Sequence, residues 1–327
     1  MQSSSPIQQN DLTVVLPIYN EENGIDELYK RLTIVLEAMK ITYDLLFIDD
    51  GSRDASYEVL HQLHEQDPRV RVIKFSRNFG HHIAVTAGLD HAHGRAVVLM
   101  DSDLQDQPEE IPKLYQKLQE GYDVVYAIRK NKKFSWWKKT TSSMFRWVMK
   151  KILRYEIQGG IFRILRDTVV QKVRECRETD RLVIGLINWV GFRQTGIEVE
   201  HGARFAGESK YSFTKMLRLA LNAVTGFSTL PLRLASYMGI LFSFGSFLGI
   251  LILFYRAFFT HIPVTGWASI MTTVTFFGGV QLLCLGVLGE YIARIFNETR
   301  KRPLYVIGSF LDDPNPPNET QSSESPP

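Results

Sequence analysis

The sequence is poor in cysteine and nearly balanced in charge, and both features exclude classes of protein. Its two cysteines, Cys176 and Cys284, form no CxxC pair, so a disulfide-rich secreted scaffold and a zinc module are excluded. The formal net charge of +3 is too small for nucleic-acid binding by the chain as a whole. Hydrophobic residues make up 45% of the 327 residues, which excludes an intrinsically disordered chain.

Common nucleotide-binding and nucleophile motifs are also missing. No G-x-G-x-x-G follows the first predicted strand, and no G-x-x-x-x-G-K-[ST] occurs anywhere in the sequence. No serine or cysteine lies in a G-x-S-x-G elbow. A dinucleotide oxidoreductase, a P-loop NTPase and a nucleophile-elbow enzyme therefore lose their main sequence support.

Charge is almost absent from one long segment near the C-terminus. Between Leu234 and Gly289 the only formal charge is Arg256, which separates uncharged runs at 234–255 and 267–289. At ~1.5 Å per residue each run spans about 33 Å as a helix, enough to cross a bilayer core of about 30 Å. Buried helices of a soluble protein are the alternative, but they rarely run this long without charge. We predict a two-helix transmembrane hairpin with spans at 234–256 and 267–290.

The charges that flank the two spans predict their orientation. Basic residues lie before the first span and after the second, namely Arg233, Arg294, Arg300, Lys301 and Arg302. The connection between the spans carries only Arg256 and His261. The positive-inside rule then places both termini and everything before residue 230 in the cytoplasm. The N-terminus is polar and has no signal peptide, so we expect a two-span protein of the inner or plasma membrane.

The first 130 residues alternate between strand and helix patterns. Strands are predicted at 12–18, 45–48, 70–75, 96–100 and 122–128, with helices at 22–40, 54–66 and 80–92. This alternation indicates an α/β domain with a mostly parallel, doubly wound sheet, which we assign to residues 11–210. In such sheets ligands bind outside the carboxyl ends of the strands.

Polar clusters follow the predicted strands at that edge, including residues 19–22, 49–52 and 101–106. Asp101 and Asp103 are spaced so that their side chains project to the same side of an extended chain. Two carboxylates in that arrangement can share a hard cation such as Mg²⁺ or Mn²⁺. A chance pair or a helix cap is the alternative. The neighbouring polar strand ends favour the metal site.

A basic segment rich in aromatic residues spans 129–155. It has ten Lys or Arg residues, no acidic residue, and the aromatic residues Phe134, Trp136, Trp137, Phe145 and Trp147. Nucleic-acid binding and a membrane interface both fit this composition. The two downstream spans favour the membrane interface. Residues 211–233 are predicted to form an amphipathic helix on the membrane surface.

The remaining segments carry little chemistry. The polar residues 1–10 and the proline-rich, acidic residues 312–327 are predicted to be disordered. Residues 291–311 are predicted to be cytoplasmic, with a short strand at 302–307 that could pack on a neighbouring subunit.

Several ordered motifs together resemble a known family. They are V-V-L-P-I-Y-N-E-E at 14–22, D-D-G-S at 49–52, S-R-N-F-G at 76–80, D-S-D-L-Q-D at 101–106, F-R at 162–163, W-V-G-F at 189–192, A-G-E-S-K-Y at 206–211 and F-S-T-L-P-L-R at 227–233. They resemble the inverting family-2 glycosyltransferases of GT-A fold, and in particular the polyprenyl-phosphate glycosyltransferases. The resemblance covers roughly residues 11–305.

The resemblance implies roles for individual residues. Those expected to bind the nucleotide sugar are Pro17, Tyr19, Asn20, Glu21, Asp50 and Gly51, with Asp50 making a base-edge or ribose contact. Asp101 and Asp103 would hold Mg²⁺ or Mn²⁺ and the diphosphate, and Gln105 would contact the sugar or the metal site. The residues expected to bind the acceptor phosphate are Arg129, Lys133, Ser135, Arg204, Ser209 and Lys210.

The resemblance also implies an activity. The chain would be a hexosyltransferase that moves glucose from UDP-glucose to undecaprenyl phosphate and makes a lipid-linked donor for later glycan or lipopolysaccharide modification. GDP-mannose with a dolichyl-type acceptor is the second possibility, and an aminoarabinose or GlcNAc donor the third. A processive polysaccharide synthase is disfavoured because it needs more spans and a Q-x-x-R-W motif. A non-catalytic sensor or scaffold is the alternative from another class.

Glycine-rich spans and the resemblance suggest a homo-oligomer, with a tetramer as the expectation.

One position departs from the family pattern. Relatives commonly carry Gly-Asp-Phe-Arg where this chain has Gly160-Ile161-Phe162-Arg163. A lipid phosphate has a second pKa of about 6, so it is already ionised at neutral pH and acts as the nucleophile without a general base. The missing carboxylate therefore does not exclude the activity.

Overall fold

A computed structural model describes residues 10–129, 159–179, 181–200, 230–259 and 266–312 of the chain. These residues fall into two compact units. The first contains the described residues up to 200 together with 303–312, and the second contains the described residues from 230 to 302.

The first unit is built on one eight-stranded sheet. Its strands are β1 (Leu12–Ile18), β2 (Tyr43–Asp49), β3 (Val70–Phe75), β4 (Ala96–Leu99), β5 (Val124–Arg129), β6 (Arg163–Arg166), β7 (Gln194–Val199) and β8 (Ile307–Leu311). Their order across the sheet is β7-β5-β6-β4-β1-β2-β3-β8. The helices of this unit are α1 (Ile25–Ala38), α2 (Ser56–Gln66), α3 (His81–His91), α4 (Ile111–Gln119), α5 (Asp167–Glu175) and α6 (Val183–Trp189).

Six of the eight strands run in one direction. β1 pairs in parallel with β2 and β4, β2 with β3, and β5 with β7. Only β6 and β8 are antiparallel to their neighbours. Strands β1 and β2 are buried along their whole length, as expected for a sheet covered on both faces. The predicted doubly wound, mostly parallel sheet is confirmed, and it brings the carboxyl ends of β1, β2 and β4 side by side.

The helices pack by two different patterns. Helix α1 buries Ile25, Leu28, Leu32 and Leu36, one face at helical spacing, against the sheet. Helix α3 is instead buried throughout residues 84–89. A Cβ on its Gly88 would lie 2.1 Å from a methyl group of Val15, so glycine lets α3 lie directly against β1.

The second unit contains two long apolar helices, α7 (Leu230–Phe259) and α8 (Trp267–Thr299). Both are long and apolar enough to cross a membrane, and their apolar stretches are not buried within the structure. Phe242 of α7 meets Phe276 and Phe277 of α8 edge to face, with ring centroids 5.9 and 5.7 Å apart. The predicted spans lie within these helices, which is consistent with a hairpin.

The C-terminal strand lies further along the chain than its sequence suggests. The strand predicted at 302–307 is wrong in position, because the observed strand is β8 at Ile307–Leu311. It pairs antiparallel with β3 of the same chain, from Val72 opposite Leu311 to Phe75 opposite Ile307. The predicted amphipathic helix before residue 230, most of the basic segment 129–155, and the predicted disordered ends lie almost wholly outside the described residues.

Candidate active site

The turns after β1 and β2 are tied together by reciprocal hydrogen bonds. The backbone N–H of Asn20 donates to Ser52 Oγ at 3.0 Å, and the Arg53 N–H donates to Asn20 Oδ1 at 2.9 Å. The Ala55 N–H donates to Glu22 Oε2 at 2.8 Å. Asn20 has a φ of 56°, a left-handed conformation that asparagine adopts more readily than most residues. This network gives the two turns one shape.

Glycine is required at the start of the second turn. Gly51 has a φ of +68°, and a Cβ there would lie 2.5 Å from the carbonyl carbon of Arg77. Only glycine fits both the left-handed backbone and the close approach of the loop after β3. The residues 76–80 of that loop are called the anchor loop below.

Asp50 holds the anchor loop. Its buried carboxylate accepts hydrogen bonds from Asn78 Nδ2 at 2.9 Å, the Phe79 N–H at 2.7 Å and the Gly80 N–H at 2.9 Å. Burial raises the pKa of this carboxyl, and the two backbone N–H groups oppose the rise. The predicted nucleotide contact of Asp50 stays a prediction, while the contacts observed here shape the pocket edge.

The D-x-D pair follows β4 after one intervening residue, Met100. Ser102 lies between the two aspartates, and its hydroxyl donates to the carbonyl oxygen of Pro17 at 2.9 Å, which joins the ends of β4 and β1. Leu104 takes a left-handed φ of 59°, which is uncommon for a bulky residue. The Gln105 N–H donates to Asp103 Oδ1 at 3.1 Å. The strained turn therefore keeps Asp101, Asp103 and Gln105 on one short loop.

The two aspartates suit a cation that the substrate helps to coordinate. The side chain of Asp101 is 33% exposed, and Asp103 is half-buried. No group of three His, Cys, Asp or Glu side chains arranged to hold a metal occurs within the residues that the structure describes. Mg²⁺ and related ions usually take one or two carboxylates and complete their shell with phosphate oxygens and water. Asp101 and Asp103 fit that pattern.

His81 is a further candidate site residue, one that the sequence motifs did not single out. It is the first residue of α3, and its Nε2 lies 3.5 Å from Asp101 Oδ1. Burial lowers the pKa of this imidazole, while the carboxylates of Asp50 and Asp103 act in the opposite direction. The available signal is its position, because a residue that opens the helix after β3 lies at the carboxyl edge of the sheet.

The structure brings together the residues predicted to bind the nucleotide sugar, whereas those predicted to bind the acceptor phosphate lie outside the described part except for the backbone of Arg129. Those that it brings to one edge of the sheet are Pro17, Tyr19, Asn20, Glu21, Asp50, Gly51, Asp101, Asp103 and Gln105. Arg129 ends β5, and its backbone is in register with Val199. Its side chain lies outside the described part, as do Lys133, Ser135, Arg204, Ser209 and Lys210.

Ile161 occupies an apolar environment. It is buried and belongs to the same hydrophobic cluster as Val124, Leu165 and Val169. The neighbouring Arg163 is fully buried, donates from Nη2 to the carbonyl oxygen of Gly160 at 2.6 Å, and has its pKa lowered to about 10 by burial. Position 161 therefore offers no base to the site.

Comparisons with known proteins agree with the motifs. A family model described as glycosyl transferase family 2 matches residues 13–170. The uncharacterised glycosyltransferase YkcC of Bacillus subtilis is 46% identical over 90% of this chain and 92% of its own length. The bactoprenol glucosyl transferase of Shigella phage SfV is 38% identical over 90% and 97%. The undecaprenyl-phosphate 4-deoxy-4-formamido-L-arabinose transferase of Proteus mirabilis is 35% identical over 96% and 98%.

A solved structure supports the fold. The mannosyltransferase PcManGT from Pyrobaculum calidifontis, in complex with GDP-Man and Mn²⁺, superposes with a TM-score of 0.50 at 16% identity, covering 68% of this chain and 64% of that chain. At this identity the likeness concerns the fold alone. It confirms the expected GT-A architecture of the first unit.

Proposed function

The chain belongs to glycosyl transferase family 2, and from this membership we propose that it transfers a hexose from a nucleoside-diphosphate sugar to a polyprenyl phosphate at the cytoplasmic leaflet. The observation that carries the proposal is the 38% identity to a bactoprenol glucosyl transferase over 90% of this chain and 97% of that protein. A match of that length includes both units. UDP-glucose and undecaprenyl phosphate are the proposed substrates.

The proposed donor pocket lies at the ends of β1, β2 and β4. Tyr19 is 43% exposed there, which leaves its ring available to the nucleotide. Asn20 and Glu21 shape the pocket through the bonds that tie their turn to residues 52–56. Gly51 and Asp50 keep the anchor loop beside the turn after β2.

Asp103 and Asp101 are the proposed ligands of Mg²⁺ or Mn²⁺. When bound, the cation neutralises the negative charge that develops on the departing nucleoside diphosphate. The two carboxylates would supply part of the coordination shell, and phosphate oxygens and water would complete it, as their placement on one loop after β4 allows.

The proposed reaction is a single displacement with inversion. A phosphate oxygen of the lipid attacks the anomeric carbon from the face opposite the diphosphate, and the bond from that carbon to the diphosphate oxygen breaks. The acceptor phosphate has a second pKa of about 6 and is ionised at neutral pH, so no protein base has to remove a proton. The burial of Ile161 in an apolar cluster agrees with a site that lacks a base at this position.

The acceptor phosphate is proposed to bind Arg129, Lys133, Ser135, Arg204, Ser209 and Lys210. Guanidinium and ammonium groups recognise phosphate through charge-assisted hydrogen bonds. Helices α7 and α8 would hold the enzyme in the membrane, where a lipid phosphate is found.

A deoxyformamido-arabinose donor is the second candidate. The Proteus mirabilis relative is named for that sugar and is 35% identical over 96% of this chain. The names of both relatives, this one and the phage protein, imply a polyprenyl-phosphate acceptor. The sugars differ, since the phage protein is named for glucose and the Proteus protein for an arabinose derivative. The proposed acceptor is therefore better supported than the proposed sugar.

The test is to incubate membranes that contain the full-length protein with a panel of labelled nucleotide sugars and to measure label in the lipid fraction. We expect UDP-glucose to label the lipid, EDTA to abolish labelling, and Mg²⁺ or Mn²⁺ to restore it. Asp103→Ala should abolish transfer, whereas Asp26→Ala, an exposed aspartate of α1, should not. Activity of Asp103→Ala would contradict the metal assignment, and labelling of no lipid by any donor would favour the non-catalytic scaffold.

A further inference from the structure

The segment that follows α8 returns to the sheet beside the anchor loop. Strand β8 pairs with β3, and the chain just before it continues along the same edge, where the Ser76 N–H donates to the Val306 carbonyl oxygen at 3.0 Å. Ser76 is the first residue of the anchor loop. The C-terminal segment therefore contacts the anchor loop directly, through the backbone of Ser76.

A row of aromatic rings continues this support. The ring of Tyr305 stacks on Phe75 with centroids 5.2 Å apart and planes 18° from parallel. Phe75 meets Phe79 of the anchor loop edge to face at 5.6 Å. The Phe79 N–H is one of the donors to Asp50. Contacts of this kind stabilise a pair beyond simple burial.

The hydroxyl of Tyr305 is itself held in place. It donates to Asp90 Oδ2 at 3.0 Å and lies 3.3 Å from His91 Nε2, both at the end of α3. A phenol is protonated at neutral pH, and burial raises the pKa of this one further. Arg177 binds the same Asp90 oxygen at 2.7 Å. Tyr305 is thus fixed at both its ring and its hydroxyl.

We propose that Tyr305 and Val306 are positioning residues for the donor nucleotide pocket. They hold the anchor loop so that Asp50, Gly80 and His81 keep their places beside the D-x-D loop. This proposal rests on the proposed function, because it takes the ligand of the pocket to be a nucleoside diphosphate. A strand that merely covers the edge of the sheet would affect stability without a selective effect on this loop.

Two variants of Tyr305 and one control separate these roles. Tyr305→Ala removes the ring and the hydroxyl, and Tyr305→Phe keeps the ring. Ser309→Ala is the control, because Ser309 lies on the same strand but its hydroxyl accepts from Tyr57 of α2 at 3.0 Å, away from the anchor loop. All are studied as full-length protein in detergent.

Two measurements are made on each variant. Hydrogen–deuterium exchange of residues 76–80 reports the anchor loop, and calorimetric titration with UDP and with GDP in the presence of Mn²⁺ reports the pocket. We expect Tyr305→Ala to speed exchange of this segment and to weaken nucleotide affinity about five- to tenfold, the effect of losing one aromatic pair. Tyr305→Phe should change affinity less than about threefold, and Ser309→Ala should change neither quantity.

The outcomes are distinguishable. If residues 76–80 exchange at an unchanged rate in Tyr305→Ala, Tyr305 does not hold the anchor loop. If they exchange faster but nucleotide affinity is unchanged, Tyr305 has no positioning role for the nucleotide pocket. If the unmodified protein binds neither UDP nor GDP, the proposed function fails. In that case the exchange comparison still decides whether Tyr305 holds the loop.

Discussion

Two residues outside the glycines take a left-handed backbone in the turns that form the site. Asn20 follows β1 and Leu104 follows β4, with φ values of 56° and 59°. A left-handed residue costs about 1–2 kcal/mol unless it is glycine or finds local compensation. Asn20 has that compensation in its hydrogen bond with Arg53, and Leu104 has it in burial against the core around α1. Both left-handed residues lie in the turns that form the proposed donor pocket.

Asn20 offers a test of how the pocket is shaped. Asn20→Ala loses the acceptor for the Arg53 N–H and the compensation for a left-handed φ, and should lower the free energy of unfolding by about 2 kcal/mol. Asn20→Asp keeps an oxygen in that place and should restore both stability and transfer activity. Thermal denaturation and the KM for the donor measure the two effects. Restored stability with a donor KM that stays high would show that the amide group itself binds the nucleotide.

Gly51 offers a test of the close approach between two loops. Gly51→Ala forces a Cβ against the backbone of Arg77 at a left-handed φ and should destabilise the first unit by at least about 2 kcal/mol. Gly24→Ala is the matched control, because its Cβ would meet nothing nearer than 3.7 Å. Equal melting temperatures for the two variants would contradict the tight packing at Gly51.

The chemistry at the strand ends is readable from the sequence because it depends on local spacing. Asp101 and Asp103 directly follow an apolar strand, and the expected placement of their loop at the carboxyl edge agrees with the structure. The start of α3 after β3 places His81 at the carboxyl edge of the sheet, but its contact with Asp101 joins residues 20 apart, so local spacing does not predict it. The role of Asp50 as an acceptor for the anchor loop is equally non-local, since its partners lie 28–30 residues away.

At the scale of elements, segments with an apolar pattern are predictable, even the four-residue β4, whereas short strands without such a pattern are not. The limits predicted for β1 and β3 are those observed. Strand β6 has only four residues, R-I-L-R, and begins with the fully buried Arg163, so it has no alternating pattern. Strand β8, I-G-S-F-L, contains glycine and serine, which are not favoured in strands. The preceding L-Y-V-I has a higher strand propensity, so the sequence predicts the strand there instead. Pairing with β3 outweighs that local preference.

The apolar helices allow a prediction at this scale. Phe244→Arg places a charge near the middle of α7, where a central arginine costs about 2.5–3.5 kcal/mol of membrane insertion. We expect part of this variant to be released by alkaline extraction of membranes. Ile295→Arg is the control, because it lies near the end of α8 beside Arg294 and should stay in the membrane fraction. Retention of both variants alike would contradict the assignment of α7 as a span.

At the scale of the whole molecule, the modest net charge is a cancellation between unlike segments. The basic segment 129–155 is balanced by acidic residues elsewhere, including the acidic C-terminal tail. The segment from Leu234 to Gly289 carries one formal charge. This distribution suits the proposed transfer from a water-soluble donor to a lipid acceptor at the membrane.

The orientation in the membrane can be measured with single cysteines. In a background of Cys176→Ser and Cys284→Ser, His261→Cys should react with an impermeant maleimide in intact cells. Ser323→Cys should react only after the cells are permeabilised, because the positive-inside rule places the C-terminus in the cytoplasm. The reverse labelling pattern would contradict the proposed topology.

The pairing of β8 with β3 has a consequence for biosynthesis. Arg71 beside β8 binds Asp312, a partner 241 residues further along the chain. The ribosome therefore has to release both apolar helices before the last strand of the catalytic sheet exists. The anchor loop is synthesised early, whereas Tyr305, whose ring stacks beside it, is synthesised late. Until β8 is synthesised, the edge of the sheet at β3 is unpaired, so this edge is completed only after both apolar helices have been made.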